Sequence, residues 1–399
     1  MSFTQKKAVV FVGGSQDHLP FISAAQQLGF YTVVFDQDST CKGGLVADYF
    51  YRISTHNLAG IISLTQKLSL EFSICGVMTY SSANQAIVNT ASLAKLNGLP
   101  YCNLKSIELT NDKELTRKRL VEHKIPTTHG KTLGNIDEAV RYFKDNINSM
   151  LVIKPASGGQ GSRGINLIKT ESDIYRFYEE ASASSSDSKV ILERYVDGQE
   201  YSIDGIVVGD QPHIFSISKK YNLGPKANYI MSGFTTLSKN EHSDLGKEIK
   251  DLSIKVVKAL GISNSFFSID VIGSKNRLFV IECGLLLDCK IDRFLAYQNI
   301  SVYDSFLSVI TDEAVKLCEP SLLEQVSLKF LHAKDKGLLK IHKDKVLDFD
   351  GMVEWEKADR SAVVTPNSIA DVLGWILTKN QSKKNLELLD ELFSVTQTD

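Results

Sequence analysis

The chain has 399 residues, with 45 basic and 47 acidic side chains and a formal net charge of −2. That balance makes no electrostatic case for nucleic acid or an anionic membrane surface, and no apolar run approaches the ~20 residues of a bilayer span. With 43% hydrophobic and 23% charged residues the composition is that of a soluble globular protein, and the length suggests roughly two or three domains.

The start, Met1 to Lys7, is polar and leads into the apolar run Ala8–Val12. That run is too short for a signal-peptide core and reads as a buried strand ended by Gly13-Gly14. Phe21, Ile22, Ala25 and Leu28 recur at helical spacing, closed by Gly29. Thr32–Phe35 is the next strand, ending at Asp36. Leu58–Leu68 reads as a helix, Ile74–Thr79 as a third strand and Ala83–Asn97 as a helix stopped by Gly98. Strands alternating with helices indicate a parallel α/β sheet.

Asn111–His123 is the next predicted helix, with Asn111 as N-cap and Glu114 three residues on. Pro126 ends it. Leu151–Lys154 and Ile165–Ile168 are short strands around a glycine-rich loop, which suggests a hairpin. Ile174, Phe177, Tyr178 and Ala181 form a helical stripe, and Ala183–Ser188 is low in complexity and predicts a mobile surface loop. Val190–Tyr195 and Glu200–Val208 read as strands. Leu245, Ile249, Leu252, Val256 and Leu260 keep helical period, and Phe266–Ile272 pairs with Leu278–Glu282 around a turn at Gly273-Ser274-Lys275-Asn276. The last seventy residues mix short strands with an amphipathic helix near Leu386–Phe393. The six cysteines are scattered without a CxxC pair, which argues against a zinc or disulfide framework and fits a reducing cytosol.

Several residues carry chemistry. The stretch Ser157–Gly164 holds four glycines and two serines, so its backbone can approach phosphate oxygens closely. A flexible hairpin tip explains the composition as well. The loop lacks the Lys of GxxxxGK[ST], and no helix follows it as a dinucleotide fingerprint requires. Lys154, at the end of an apolar strand, and Lys113, in the first turn of a helix, are candidate phosphate ligands. Glu193 and Glu200 flank a turn whose backbone could meet a purine. Asp270 and Glu282 sit in apolar strands, where carboxylates are costly unless paired or bound to metal. Two such groups suit Mg²⁺, which takes one or two carboxylates plus phosphate oxygens. Cys283 and Cys289 have no neighbouring His and read as core cysteines.

In this order and spacing the motifs resemble the ATP-grasp superfamily, in its carboxylate–amine ligase and biotin-carboxylase-like branch, over nearly the whole chain. The resemblance implies a mixed α/β and α+β chain: a Rossmann-like pre-ATP-grasp domain followed by a two-lobed ATP-grasp fold. Its parts would be residues 1–108, a lid and small lobe at 109–196, a large lobe with the metal strands at 197–318, and a C-terminal α+β part at 319–399 completing the large lobe. It assigns Lys113, Lys154 and the loop residues Ser157, Gly161 and Ser162 to phosphates, Glu193 to the adenine amino group, Tyr195 and Val196 to backbone contacts, and Glu200 to the ribose. Asp270 and Glu282 become metal ligands.

One departure stands out. The family's Glu-x-Asn-x-Arg is here Glu282-Cys283-Gly284-Leu285-Leu286, so Gly284 and Leu286 replace a metal-binding Asn and an Arg. Asp288 is the candidate substitute near the metal, and Lys290 and Arg293 near the substrate anion, with Lys154 as the third catalytic cation. Lys219-Lys220 are further candidate anion contacts, and Gly13–Asp17 is expected to face the substrate cleft.

The implied activity is an ATP-dependent ligase joining a small carboxylate to an amine through an acyl phosphate, with ATP and Mg²⁺ required. The expected partners are small-molecule substrates, with no nucleic acid or membrane, a cytoplasmic location and a homodimer by analogy. Three alternatives stand beside it. The chain could bind nucleotide without ligase turnover, or phosphorylate bicarbonate as carbamoyl-phosphate and biotin-carboxylase enzymes do. A dinucleotide oxidoreductase is disfavoured by the missing fingerprint.

Overall fold

The structure is a computed structural model and describes residues 5–157, 163–224, 230–238, 241, 244–313, 317, 325–349, 351–366, 371–379 and 391–397. Its N-terminal unit is a parallel sheet of four strands in the spatial order Tyr49–Arg52, Tyr31–Asp36, Lys6–Val12, Phe72–Met78. Ala8, Val9, Val10, Phe11 and Val12 are all fully buried, as a parallel strand covered on both faces requires. The first strand runs into Gly13, whose φ of +112° favours glycine. A Cβ at Gly14 would lie 2.7 Å from Cys41 Sγ, so the short helix Lys42–Val46 packs directly on this turn. Neither that helix nor the strand Tyr49–Arg52 has a run long enough to show a period in the sequence.

A second unit is an antiparallel sheet ordered Gly130–Leu133, Val190–Arg194, Leu151–Pro155, Asn166–Ile168. The hairpin expected around the glycine-rich loop is present. The helices Ile136–Asp145 and Glu171–Ala183 supply the core of this unit, in which Phe143, Leu151, Ile153, Ile174 and Leu192 are buried together. Strand side chains alternate between faces, so Lys154 and Glu193 point away from that core.

The third unit is an eight-stranded antiparallel sheet, in the order Arg277–Gly284, Ser265–Ser274, Gln199–Val208, Gln211–Asn222, Met231–Thr236, Val326–Leu331, Gly374–Lys379, Met352–Trp355. The helix Leu245–Leu260 lies on one face with Ile203, Val207, Phe267, Ile269 and Val271. The other face is divided. Its apolar end meets the N-terminal unit through Phe21, Tyr80, Phe266 and Phe306, with the Phe266 and Phe306 rings stacked at 4.5 Å. Its polar end carries Glu200, Ser202 and Asp204 on one strand beside Lys220, Asp270 and Glu282 on others. The turn joining the two metal-candidate strands has Lys275 and Asn276 at positive φ, as a two-residue hairpin prefers.

Three expectations are corrected. Asn111 ends a helix, Leu104–Asn111, and Asp112 caps the next one, Lys113–Glu122, by accepting from the Glu114 and Leu115 amides. The segment Ala183–Ser188 is largely exposed, as a surface loop would be, but Ala183 ends a helix and the buried Ser185 hydroxyl bonds both Ser157 and Asp187. Phe393 begins a strand, Phe393–Thr396, rather than ending a helix, and the rest of that predicted helix lies outside the described residues apart from Glu391 and Leu392. Among the described residues no helix is long and apolar enough to cross a membrane. Cys41, Cys75, Cys102, Cys283 and Cys289 are free thiols.

Candidate functional site

The nucleotide side of the cleft is built by one helix and two strands. Lys113 and Arg117 are one turn apart on Lys113–Glu122, so they share a face. Lys154 and Glu193 come from adjacent strands whose register places Glu193 opposite Val152. The Lys154 ammonium pairs with Glu193 Oε1, and Arg117 Nη2 pairs with Glu193 Oε2. Thr128 Oγ1 donates to the same Oε2 at 2.9 Å. All three charged side chains are under 10% exposed. Lys113 Nζ lies 3.7 Å from Glu282 Oε2. Burial lowers the Lys113 ammonium from its ordinary value, and the charges of Lys154 and Arg117 act in the same direction. Three cations this close together make a setting that suits an anion.

The remaining nucleotide candidates are placed as follows. Ser157 Oγ is engaged by Ser185, Ser186 and Asp187. Gly161 and Ser162 lie outside the described residues. The Tyr195 amide donates to the Met150 carbonyl at 2.8 Å and so is not offered to a base, while Val196 follows the end of strand Val190–Arg194. Glu200 is paired in register with Lys220 and Ile272. Burial raises its carboxyl against the pull of Lys220 and Lys154.

The metal side centres on a lysine that composition alone does not single out. Asp270 and Glu282 are cross-strand partners. Lys220 reaches Asp270 Oδ2 at 2.6 Å and Asp288 Oδ2 at 2.8 Å. Burial alone would lower the Lys220 ammonium, but Asp270 and Asp288 outweigh it and hold it well above its ordinary value. Burial pushes the Asp270 carboxyl up, with Asp288 and Glu282 acting the same way. Lys220 is the counter-charge beside it, and its pull does not offset the burial. Desolvation within the cleft acts to raise Glu282, whose side chain is half exposed, yet Lys113, Lys154 and Lys220 more than offset it and hold the carboxyl below its usual range.

Asp270 Oδ1 is buried without a hydrogen-bond partner. It lies across the strand pair from Glu282. This donor set fits Mg²⁺, a hard cation that completes its shell with phosphate oxygens and water. Among the described residues no cluster of three His, Cys, Asp or Glu is arranged to hold a metal without such help. Asp288 is given to Lys220, and its amide donates to Asp204 Oδ1 at 2.9 Å. A Cβ at Gly284 would meet nothing within 4 Å, whereas Leu286 lines a small cavity with Thr79, Tyr101 and Phe306.

Deeper in the cleft Lys290 pairs with Glu356 at 2.7 Å and Arg293 lies 3.7 Å from Asp292. Tyr303 donates to Asp292 at 2.6 Å. Asp17 lies close enough to act on the charge of Lys290, Tyr80 and Tyr303, which brings the turn after the first strand near Lys290. Burial pushes the Cys283 thiol up, as a core cysteine requires. The groups missing from the sequence reading are Arg117, Thr128, Asp204 and the double ion pair of Lys220. For Lys220 a weak signal existed, since it sits in a basic pair beside an alternating run.

The sequence model of the ATP-grasp domain matches residues 110–284, the stretch that contains Lys113, Lys154, Glu193, Asp270 and Glu282. Residues 110–284 are an ATP-grasp domain. A D-alanine–D-alanine ligase A of Clostridium perfringens is 24% identical over 241 residues, covering 57% of this chain and 75% of the relative. Other curated relatives are matched over only 14%, 42% and 18% of their own length. An L-amino acid ligase of Bacillus licheniformis superposes over the whole of both chains with a TM-score of 0.75 at 18% identity. The biotin carboxylase domain of Hydrogenobacter thermophilus 2-oxoglutarate carboxylase, a dimer crystallised with MgADP, ADP and bicarbonate, gives 0.73 at 16% identity over 99% of this chain and 91% of that one. The likeness in fold thus extends beyond the matched segment to the flanking units.

Proposed function

We propose that the chain is an ATP-dependent ligase that joins a small carboxylate to an amine and releases ADP and phosphate. The observation that carries this reading is the facing arrangement of Lys113 and Lys154, with their carboxylate partners, and the Asp270/Glu282 pair, whose buried Oδ1 has no partner. ATP would lie between the lid strands and the large sheet. Lys113 and Lys154 would bind phosphate oxygens, and Glu193, Val196 and Glu200 would meet the adenosine. Asp270 and Glu282 would hold Mg²⁺, which would neutralise charge on the phosphates.

The chemistry asks the protein mainly for position and charge. A substrate carboxylate oxygen attacks the γ-phosphorus, the bond to the bridging oxygen of ADP breaks, and an acyl phosphate forms. The amine then attacks the acyl carbon, phosphate leaves with the bonding pair, and the amine proton is lost. Lys113, Lys154 and Lys220 surround the region where phosphate charge is transferred, which is the kind of help such a displacement needs. Ser157 borders this region and is a candidate to help exclude water from the acyl phosphate. Lys290 and Arg293 lie further along the same cleft, toward Asp17, and are proposed substrate contacts. A cytoplasmic location would supply the ATP and small metabolites that this reaction needs.

Purified protein given Mg-ATP should release ADP only when a suitable carboxylate and amine are both present. Binding of ATP with no turnover on any pair would favour the nucleotide-binding reading, for which the motive is Gly284 in place of a metal-binding side chain. ATP hydrolysis stimulated by bicarbonate alone would favour the bicarbonate-phosphorylating reading.

A further inference from the structure

Glu193 has more counter-charge than one carboxylate needs. Its Oε1 is held by Lys154, and its Oε2 by Arg117 Nη2 and Thr128. Arg117 Nε also reaches Thr128 Oγ1 at 3.4 Å. The other terminal nitrogen of the same guanidinium, Arg117 Nη1, is buried and has no hydrogen-bond partner. Buried donors are rarely left unpaired, and an exception in a functional site calls for a use.

The use follows from Lys154. In the structure its ammonium is committed to Glu193, yet the proposed reaction needs it on phosphate. A carboxylate buried to this degree cannot give up a counter-ion unless another takes its place. Arg117 already carries the replacement. Its two terminal nitrogens form a planar fork that matches the two oxygens of a carboxylate, whereas the lysine is a single point of charge. Only one prong of that fork is used while Lys154 holds Oε1.

We infer that Arg117 is a standby counter-ion for Glu193. When a triphosphate draws Lys154 off Oε1, Nη1 of Arg117 closes on that oxygen, and Glu193 remains neutralised by a two-bond fork. The carboxylate keeps lone pairs free for the base, since an ionised carboxylate accepts about four hydrogen bonds. Arg117 touches no phosphate in this scheme. It is a positioning residue that acts through Glu193 on the availability of Lys154. The placement of Lys113 and Arg117 on one helical face then has a division of labour: Lys113 for the phosphates, Arg117 to free Lys154. The inference rests on the nucleotide reading above.

Inorganic triphosphate isolates the effect, because it has no base for Glu193 to read. Calorimetric titration should show Arg117→Met binding triphosphate ~10–100-fold more weakly than the unaltered protein, the size of a lost charged hydrogen bond. Glu193→Gln, which frees Lys154, should bind it at least as tightly as the unaltered protein. The decisive variant is the double one, Arg117→Met with Glu193→Gln, where affinity should return to within about threefold of the original. Arg117→Lys keeps the charge without the fork and serves if Arg117→Met does not fold; it too should bind more weakly and be rescued by Glu193→Gln. Unchanged triphosphate affinity in the Arg117 variants, or a loss that Glu193→Gln does not relieve, would overturn the inference. Failure of the unaltered protein to bind either ATP or triphosphate would instead overturn the nucleotide reading, and the standby role with it.

Discussion

The two sides of the cleft neutralise their charges differently. On the nucleotide side, Lys154 and Arg117 are matched to a single carboxylate, Glu193, and Lys113 reaches across to Glu282. On the metal side the ratio is inverted: Lys220 serves both Asp270 and Asp288, with Asp204 buried behind them. One wall therefore has cations to give to an anion, and the other has carboxylates to give to a cation. On the proposed reading, each half of a metal–triphosphate site is held as internal ion pairs, which the ligand would exchange for its own.

The sharpest break of that contrast is removal of the metal-side carboxylate. Asp270→Ala should lower ADP release by ~1,000-fold, an amount in the range of a lost electrostatic contact to the reacting phosphate, and Glu282→Ala should act in the same direction. Full activity in both would remove the metal assignment. Lys220→Met tests the inverted ratio. It leaves two buried carboxylates without their counter-ion, so urea unfolding should show a loss of about 3 kcal/mol, and added Mn²⁺ should recover part of it. An unchanged midpoint would mean that the double ion pair contributes nothing.

A pH experiment probes the far wall, where the N-terminal unit meets the cleft. His18 accepts from the Tyr80 amide and bonds Ser15, and burial lowers its value to about 4 despite the nearby Asp36. The folded protein therefore disfavours the charged imidazole. This stability is present at neutral pH and is lost as pH falls from about 6.5 toward about 4, amounting to about 3 kcal/mol. His18→Gln should flatten that part of the stability profile, and an identical acid slope would contradict the assignment.

The smallest expected effect sharpens the comparison rather than breaking it. Space in front of Gly284 is open, so Gly284→Asn adds a ligand where the family commonly has one without displacing anything. The Mg²⁺ concentration needed for half-maximal nucleotide binding should fall by roughly threefold to tenfold. A rise would show that the glycine is needed for close approach.

The nucleotide side was the more legible in sequence because its parts are local. Lys113 follows a cap, Lys154 ends an apolar strand, and Glu193 and Glu200 bracket a turn, each visible within a few residues. Lys220 was not legible in the same sense, since its partners are 50 and 68 positions away and are set by sheet register. Arg117 was hidden for another reason: its helix, Lys-Glu-Leu-Thr-Arg-Lys-Arg-Leu-Val-Glu, is too polar to show an apolar stripe, so nothing marked this arginine as buried. The parallel sheet was read from its apolar runs, while the short Tyr49–Arg52 strand offered too little pattern. Asp112 displaced Asn111 as the cap because the preceding helix, Leu104–Asn111, claims Asn111 for its own last turn.

Turnover, rather than binding, separates a ligase from a protein that only holds nucleotide. Its most direct test is a screen of purified protein with Mg-ATP against paired small carboxylates and amines, reading ADP and phosphate together. At least one pair is predicted to give ADP and phosphate in equal amounts, with neither partner active alone. Tight ATP binding with no release on any pair, or release driven by bicarbonate without an amine, would contradict the ligase assignment.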